Sequence, residues 1–272
     1  MSSAAPPPGG PLTPAAATFA PRPGAAPLPR IVRTHAAMEV RLLVRNGEQL
    51  LLALVIPLLV LVGGTAASGV LDVGSGRRVD VLTPGVFALA VLSTAFTSLA
   101  IATAYERRYG VLKRLGASPL PRTGLLAGKV LAVVVVEAAQ LLLVGAVALA
   151  LGWQPRGGPA GAASVLLLVV VGTAAFGSLG LAMAGSLRAE ATLAAANLAY
   201  LLLVAFGAVV VPTTSYPSSL QPFIGLLPSG ALAEGLRETI AGAGGVPWPQ
   251  LAVLLGWALI GTVLCARTFR WE

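Results

Sequence analysis

Long apolar runs alternate with short polar ones along this chain. Apolar windows of spanning length recur at 49–71, 81–104, 125–151, 161–187, 191–211 and 248–266, and only the third holds charges, Lys129 near its start and Glu137 inside. Each reaches the roughly 20 residues that, at about 1.5 Å apiece, cross about 30 Å of hydrocarbon. The pattern predicts an all-α polytopic membrane protein with six transmembrane helices. Ahead of the first window, 30–48 mixes Ile31, Val32, Ala36, Met38, Val40, Leu42 and Leu43 with Arg33, Glu39, Arg41, Arg45 and Glu48. That ragged amphipathic pattern predicts a helix in the membrane interface, its arginines reaching for headgroups of the membrane lipids. Residues 1–29 are Pro, Ala and Gly with one charge, Arg22, and predict a disordered tail.

Composition agrees with the windows: of 272 residues, 56% are hydrophobic and 10% charged, which excludes an ordinary soluble domain. The net charge of +8 does not point to nucleic acid, because the basic residues are spread by topology instead of gathering on one face. Arg30, Arg33, Arg41 and Arg45 precede the first window, Arg107, Arg108, Lys113, Arg114, Arg122 and Lys129 lie around the second-to-third connection, and Arg267 and Arg270 follow the sixth. Intervening segments are near neutral, so the positive-inside rule predicts both termini in the cytoplasm and a plasma-membrane location. The fourth-to-fifth turn, with Arg188 and Glu190, carries no net signal. Cys265 is the single cysteine and reads as a packing residue. His35 stands alone, with no partner evident for metal or proton chemistry.

The richest segment runs from Tyr105 to Arg122. On a helix advancing about 100° per residue, Tyr105, Tyr109, Leu112, Leu115 and Gly116 share one side, and Glu106, Arg107, Lys113 and Arg114 the other. Pro119 ends that helix at Ser118, and a new one starts near Pro121. An amphipathic helix between two spans is what a driving partner needs to push on; the same charges also suit a solvated loop that only sets topology. Residues 212–247 are too long for a turn. Leu232, Leu236 and Ile240 repeat at i, i+4 and i+8, and 221–228 is apolar but too short to cross, which predicts a re-entrant or interfacial hairpin on the outer face.

Inside the windows chemistry is sparse. Glu137 and Gln140 lie on one helical face of the third, and Asn197 and Tyr200 on the fifth, so both pairs are candidates for a translocation path or for hydrogen bonding between helices. A nucleotide-binding loop is missing: Gly124-Leu125-Leu126-Ala127-Gly128-Lys129-Val130 has its glycines one residue too close and Val130 where a hydroxyl must reach magnesium. The chain is therefore expected to be no enzyme, to bind no cofactor itself, and to leave ATP and Mg to another subunit.

The run Glu106-Arg107-Arg108-Tyr109-Gly110-Val111-Leu112-Lys113-Arg114-Leu115-Gly116-Ala117-Ser118-Pro119-Leu120, followed by Gly128-Lys129, resembles the loop signature of type-2 ATP-binding-cassette exporter permeases, Glu-Arg-Glu-x-Gly-Thr-Leu-Lys-Arg-Leu-x-x-Thr-Pro. Arg108 stands in place of the second acid, Val111 of the first threonine and Ser118 of the second. The resemblance implies a permease subunit, similar to actinobacterial drug-resistance exporters, that works as a dimer with a second permease copy or paralogue and with a separate ATPase. It implies an amphipathic cargo of drug, lipid or glycolipid class. Coupling to the ATPase would fall on Glu106, Arg107, Tyr109, Leu112, Lys113, Arg114, Leu115 and Pro119, with the interfacial helix (Arg33, Glu39, Arg41, Arg45) beside it. Path candidates are Glu137, Gln140, Asn197 and Tyr200. A non-transporting scaffold subunit fits the same residues, and a secondary transporter fits them less well for want of buried ionisable sites.

Overall fold

A computed structural model describes residues 26–45, 47–67, 76–118, 120–242 and 245–269. Among them the only regular structure is helical: α1 (Leu28–Arg45), α2 (Gly47–Ala66), α3 (Arg78–Arg108), α4 (Val111–Gly116), α5 (Arg122–Ala150), α6 (Gly158–Ser186), α7 (Ala189–Phe206), α8 (Gln221–Leu226), α9 (Pro228–Ile240) and α10 (Trp248–Thr268). Five of these, α3, α5, α6, α7 and α10, are long and apolar enough to cross a membrane, and the uncharged run of α2, Ala53–Ala66, is shorter. The protein is a polytopic all-α membrane protein. The expected disordered tail falls outside the described residues up to position 25, but α1 begins at Leu28 and so takes in the end of that segment. Residues 68–71 of the first window, and Pro119, also lie outside the described residues.

α3 is the centre of the molecule: 72% of its apolar window is buried, against 17% for α7 and for α10. It packs against α2, α5, α6, α7 and α9, while α10 lies along α6 and α1 along α5. Leu82, Val86, Val91, Leu92 and Phe96 of α3 join Leu168 and Phe176 of α6 and Leu232 and Leu236 of α9 in one continuous core. Close approach follows from small residues. A Cβ at Gly180 of α6 would stand 2.8 Å from the Phe96 carbonyl of α3, and one at Gly261 of α10 would stand 2.2 Å from Ser178 Oγ of α6. Phe96 belongs to a π-helical stretch, Leu92–Ser98, that interrupts α3 where α6 presses on it. Nothing in the residue pattern announced that stretch.

The segment before α10 forms a hairpin, α8 and α9, broken at Leu227 and Pro228. Leu232, Leu236 and Ile240 all face inward, at 0%, 0% and 7% exposure, so the i, i+4, i+8 stripe is a core face and α9 is more deeply seated than an interfacial helix would be. Trp257 Nε1 donates to the Leu226 carbonyl at 2.8 Å. With Trp257 nine residues beyond Trp248 on α10, the end of α8 reaches roughly 13 Å along that helix. The fifth window ends early. α7 stops at Phe206, Ala208 has a positive φ of 52°, and the buried Arg237 guanidinium of α9 donates to the Ala208 carbonyl (2.7 Å) and the Val209 carbonyl (2.9 Å). Carbonyls freed where the helix unwinds are thus taken up by a charged donor. Expecting the helix to continue to 211 missed that trade, because the donor comes from another element.

Candidate functional site

One cluster of charged residues gathers at the end of the bundle that carries α1 and α4. Lys129, two turns into α5, is 2% exposed, and its ammonium lies 3.0 Å from Glu39 Oε1 of α1. It also donates to Glu106 Oε1 of α3 at 2.7 Å and stands 2.6 Å from Oε2, off the hydrogen-bonding direction. Three elements that are far apart in the chain are joined through one cation. His35, one turn before Glu39, places Nε2 3.4 Å from Glu39 Oε1. Burial pushes the His35 pKa below its ordinary value; Glu39 opposes that shift and Lys129 adds to it.

Several expectations change here. His35 is not alone: it is buried beside Glu39 and Lys129 and packs so close to α5 that a Cβ at Gly128 would stand 2.4 Å from its ring. Glu39 is 7% exposed and turned into the protein, whereas Arg33, Arg41 and Arg45 of the same helix are exposed. Glu106 does not begin a coupling helix. It lies in the last turn of α3, at the helix end where a carboxylate opposes the dipole, and the Lys129 ammonium supplies the compensating charge. The one helix expected from Tyr105 to Ser118 is instead two, because Gly110 turns into the left-handed region at φ 69° and its N–H, with that of Tyr109, caps the end of α3.

The connection between α3 and α5 nevertheless keeps the predicted polarity around α4. Leu112 is 1% exposed and clusters with Leu120 and Leu125, with Ile31, Leu115 and Phe269 against them, while Lys113 and Arg114 point outward. Tyr109 leaves the apolar side and is exposed at the break, stacked on Tyr105 with ring centroids 6.1 Å apart. Arg107 donates to the Gly185 carbonyl at 2.6 Å and to the Leu187 carbonyl, and Arg108 pairs with Glu190. The turn between α6 and α7, silent in the charge pattern, is thereby tied to the end of α3.

Within the bundle the polar candidates bind helices together. Gln140 is 2% exposed; it accepts from Thr94 Oγ1 of α3 (2.7 Å) and donates to the Ala53 carbonyl of α2 (3.1 Å). Glu137, also 2% exposed, accepts from Thr173 Oγ1 of α6 (2.6 Å), and its Oε1 has no hydrogen-bond partner among the described residues. Asn197 is exposed on α7 and Tyr200 half-buried, and the hydrogen bonds of Glu137 and Gln140 among the described residues go to α2, α3 and α6 instead. Sequence reasoning made neither Lys129 nor Arg237 a site residue. A signal existed for the first: an ammonium inside a spanning window demands a carboxylate at its own depth, and Glu106 and Glu39 flank the adjoining membrane boundaries.

Set beside known families, the chain matches the ABC-2 type transporter model over residues 32–241. That stretch runs from α1 to the end of α9 and contains the whole charged cluster, the α3–α5 connection and the hairpin. No curated protein matches the chain.

Proposed function

The chain belongs to the ABC-2 type transporter family as a membrane permease domain, and from that premise we propose that it is the permease of an ATP-driven exporter whose ATPase is a separate subunit. The observation that carries the proposal is α4. It is a short helix anchored inward by Leu112 and Leu115, with Lys113 and Arg114 presented outward. A rigid, anchored helix with a basic face suits docking into a partner that changes shape with nucleotide. Motion at α4 would pass to α3 through the Gly110 break, and from α3 to α5 and α1 through Glu106, Lys129 and Glu39. Coupling requires the partner to contact this surface differently in its two states.

On this reading ATP and Mg are held by the partner alone, two permease copies form the pathway, and both termini face the cytoplasm of the cell. The cargo is an amphipathic molecule of drug, lipid or glycolipid class, in keeping with a bundle whose interior offers few charges. The hairpin α8–α9 lies at the opposite end, where it would close the exit. The test is copurification with a candidate ATPase, followed by reconstitution in vesicles and measurement of vanadate-sensitive ATP turnover. Turnover that depends on the permease and falls with Leu112→Asp supports the proposal. Stable association with no turnover in any vesicle would leave a scaffold as the better description.

A further inference from the structure

Between α1, α2, α3 and α5 lies a half-open cavity of ≈ 220 Å³, walled by Val40 and Val44, Leu54, Thr94, Val136 and Gln140 among others. Besides Ser98, its polar wall residues are Thr94 and Gln140, and both are spoken for. Thr94 and Gln140 bond to each other at 2.7 Å, and the Gln140 amide donates to the Ala53 carbonyl at 3.1 Å. Apart from Ser98, the remaining wall residues are aliphatic. An apolar wall that opens to the outside in a membrane-embedded bundle favours hydrocarbon over water or a polar ligand.

The charge beside the cavity says what kind of molecule brings that hydrocarbon. On α1, Arg41 and Arg45 each follow a wall residue, Val40 and Val44, by one position, which turns them about 100° away from the wall toward the exposed flank. Both are exposed. Their spacing of i and i+4 puts their Cβ atoms about 6 Å apart, close enough to share one phosphate. Glu39, the nearest acid on the helix, is turned inward and paired with Lys129, so it does not neutralise them. The wall formed by α3 is moreover its π-helical stretch, which contains Thr94, and such stretches are frequent at functional sites.

We propose that this cavity is a binding site for one acyl chain of an anionic phospholipid from the leaflet that α1 lies in, with the phosphate held by Arg41 and Arg45. The inference rests on the membrane setting of the family but not on an ATPase or a cargo. A bound lipid would pin α1 to α2, α3 and α5 about two turns along α5 from Lys129, and would make the stiffness of that joint depend on lipid charge.

Native mass spectrometry of the purified full chain tests this without any partner. The protein is equilibrated in detergent with equal amounts of a dioleoyl phosphatidylglycerol and a dioleoyl phosphatidylcholine. One phosphatidylglycerol should be retained in preference to phosphatidylcholine by about thirtyfold, the factor that two basic residues at about 1 kcal/mol each provide. The double variant Arg41→Gln/Arg45→Gln, altered only on the exposed flank, should keep one lipid but lose the preference. Filling the cavity with Ala139→Phe, or separately Leu54→Phe, should remove the retained lipid of either headgroup. Equal retention of the two lipids by the unaltered chain would overturn the headgroup assignment, and so would a preference that survives loss of both arginines. Undiminished retention in a folded cavity-filling variant would overturn the site. A permease that fails to pair with an ATPase leaves all of these outcomes unchanged.

Discussion

Lys129 shows how much one side chain can decide in a membrane protein. Two carboxylates and a histidine surround a single buried ammonium, and removing that ammonium leaves Glu39 and Glu106 without a counter-charge. Breaking a buried pair in this way costs about 3–5 kcal/mol. Lys129→Met should therefore lower the thermal midpoint and membrane yield, and adding Glu39→Gln and Glu106→Gln should restore much of both; a scanning-fluorimetry series checks it. His35 carries a pH signature. Its folded pKa is depressed by burial, so its stabilising contribution is present above the ordinary histidine value, near 6.5, and is lost as pH falls through the folded value. Thermal midpoints should drop as the pH falls from neutral into the acid range, and His35→Gln should flatten part of that decline. Glu137→Gln is expected to change stability by less than about 1 kcal/mol, since an amide oxygen still accepts from Thr173. A larger loss would show that the carboxylate itself is structural.

At the scale of elements, the contacts that set helix ends and helix distances are the ones a linear reading cannot supply. The tight crossing of α6 over the π-helical stretch of α3 needs Gly180, where even a Cβ meets the Phe96 carbonyl. Gly180→Val should cost about 1–3 kcal/mol by forcing the helices apart, more than the same change at Gly256, which has open space around it. Membrane abundance together with the unfolding midpoint measures the contrast. α4 depends on a different kind of contact. Leu112→Asp puts a charge into the cluster of Leu120 and Leu125 and should loosen α4 from α1 and α5, whereas Lys113→Ala and Arg114→Ala should leave the fold intact and weaken only ATPase association. Pull-down with the partner separates the two effects.

For the whole molecule, the distribution of burial describes a bundle built around α3, with α7 and α10 showing most of their surface outward. Those faces must meet lipid or another copy of the chain, in line with the dimer proposed above. Topology is testable directly: reporters placed after Gly158, at the start of α6, and after Thr214, between α7 and the hairpin, should report from the outside. An inside signal at Gly158 would reverse the assignment of α5 and α6.

The apolar windows by themselves determined the class of protein, and the positions of α5, α6 and α10 to within a few residues, because crossing hydrocarbon demands an unbroken apolar length and leaves little freedom in how that length is spent. The inward stripe of α9 and the outward Lys113 and Arg114 were legible for a related reason, namely that periodicity reports faces. Where the loop helix breaks was decided by the left-handed turn at Gly110, a local choice that the amphipathic pattern overrides on paper but not in the chain. The early end of α7, the π-helical stretch in α3 and the joining of His35, Glu39, Glu106 and Lys129 were decided only by the tertiary structure. Each depends on a group from a distant segment, Arg237 for the freed carbonyls, α6 for the crossing and Lys129 for the two acids, and such long-range partners leave no periodic trace in sequence.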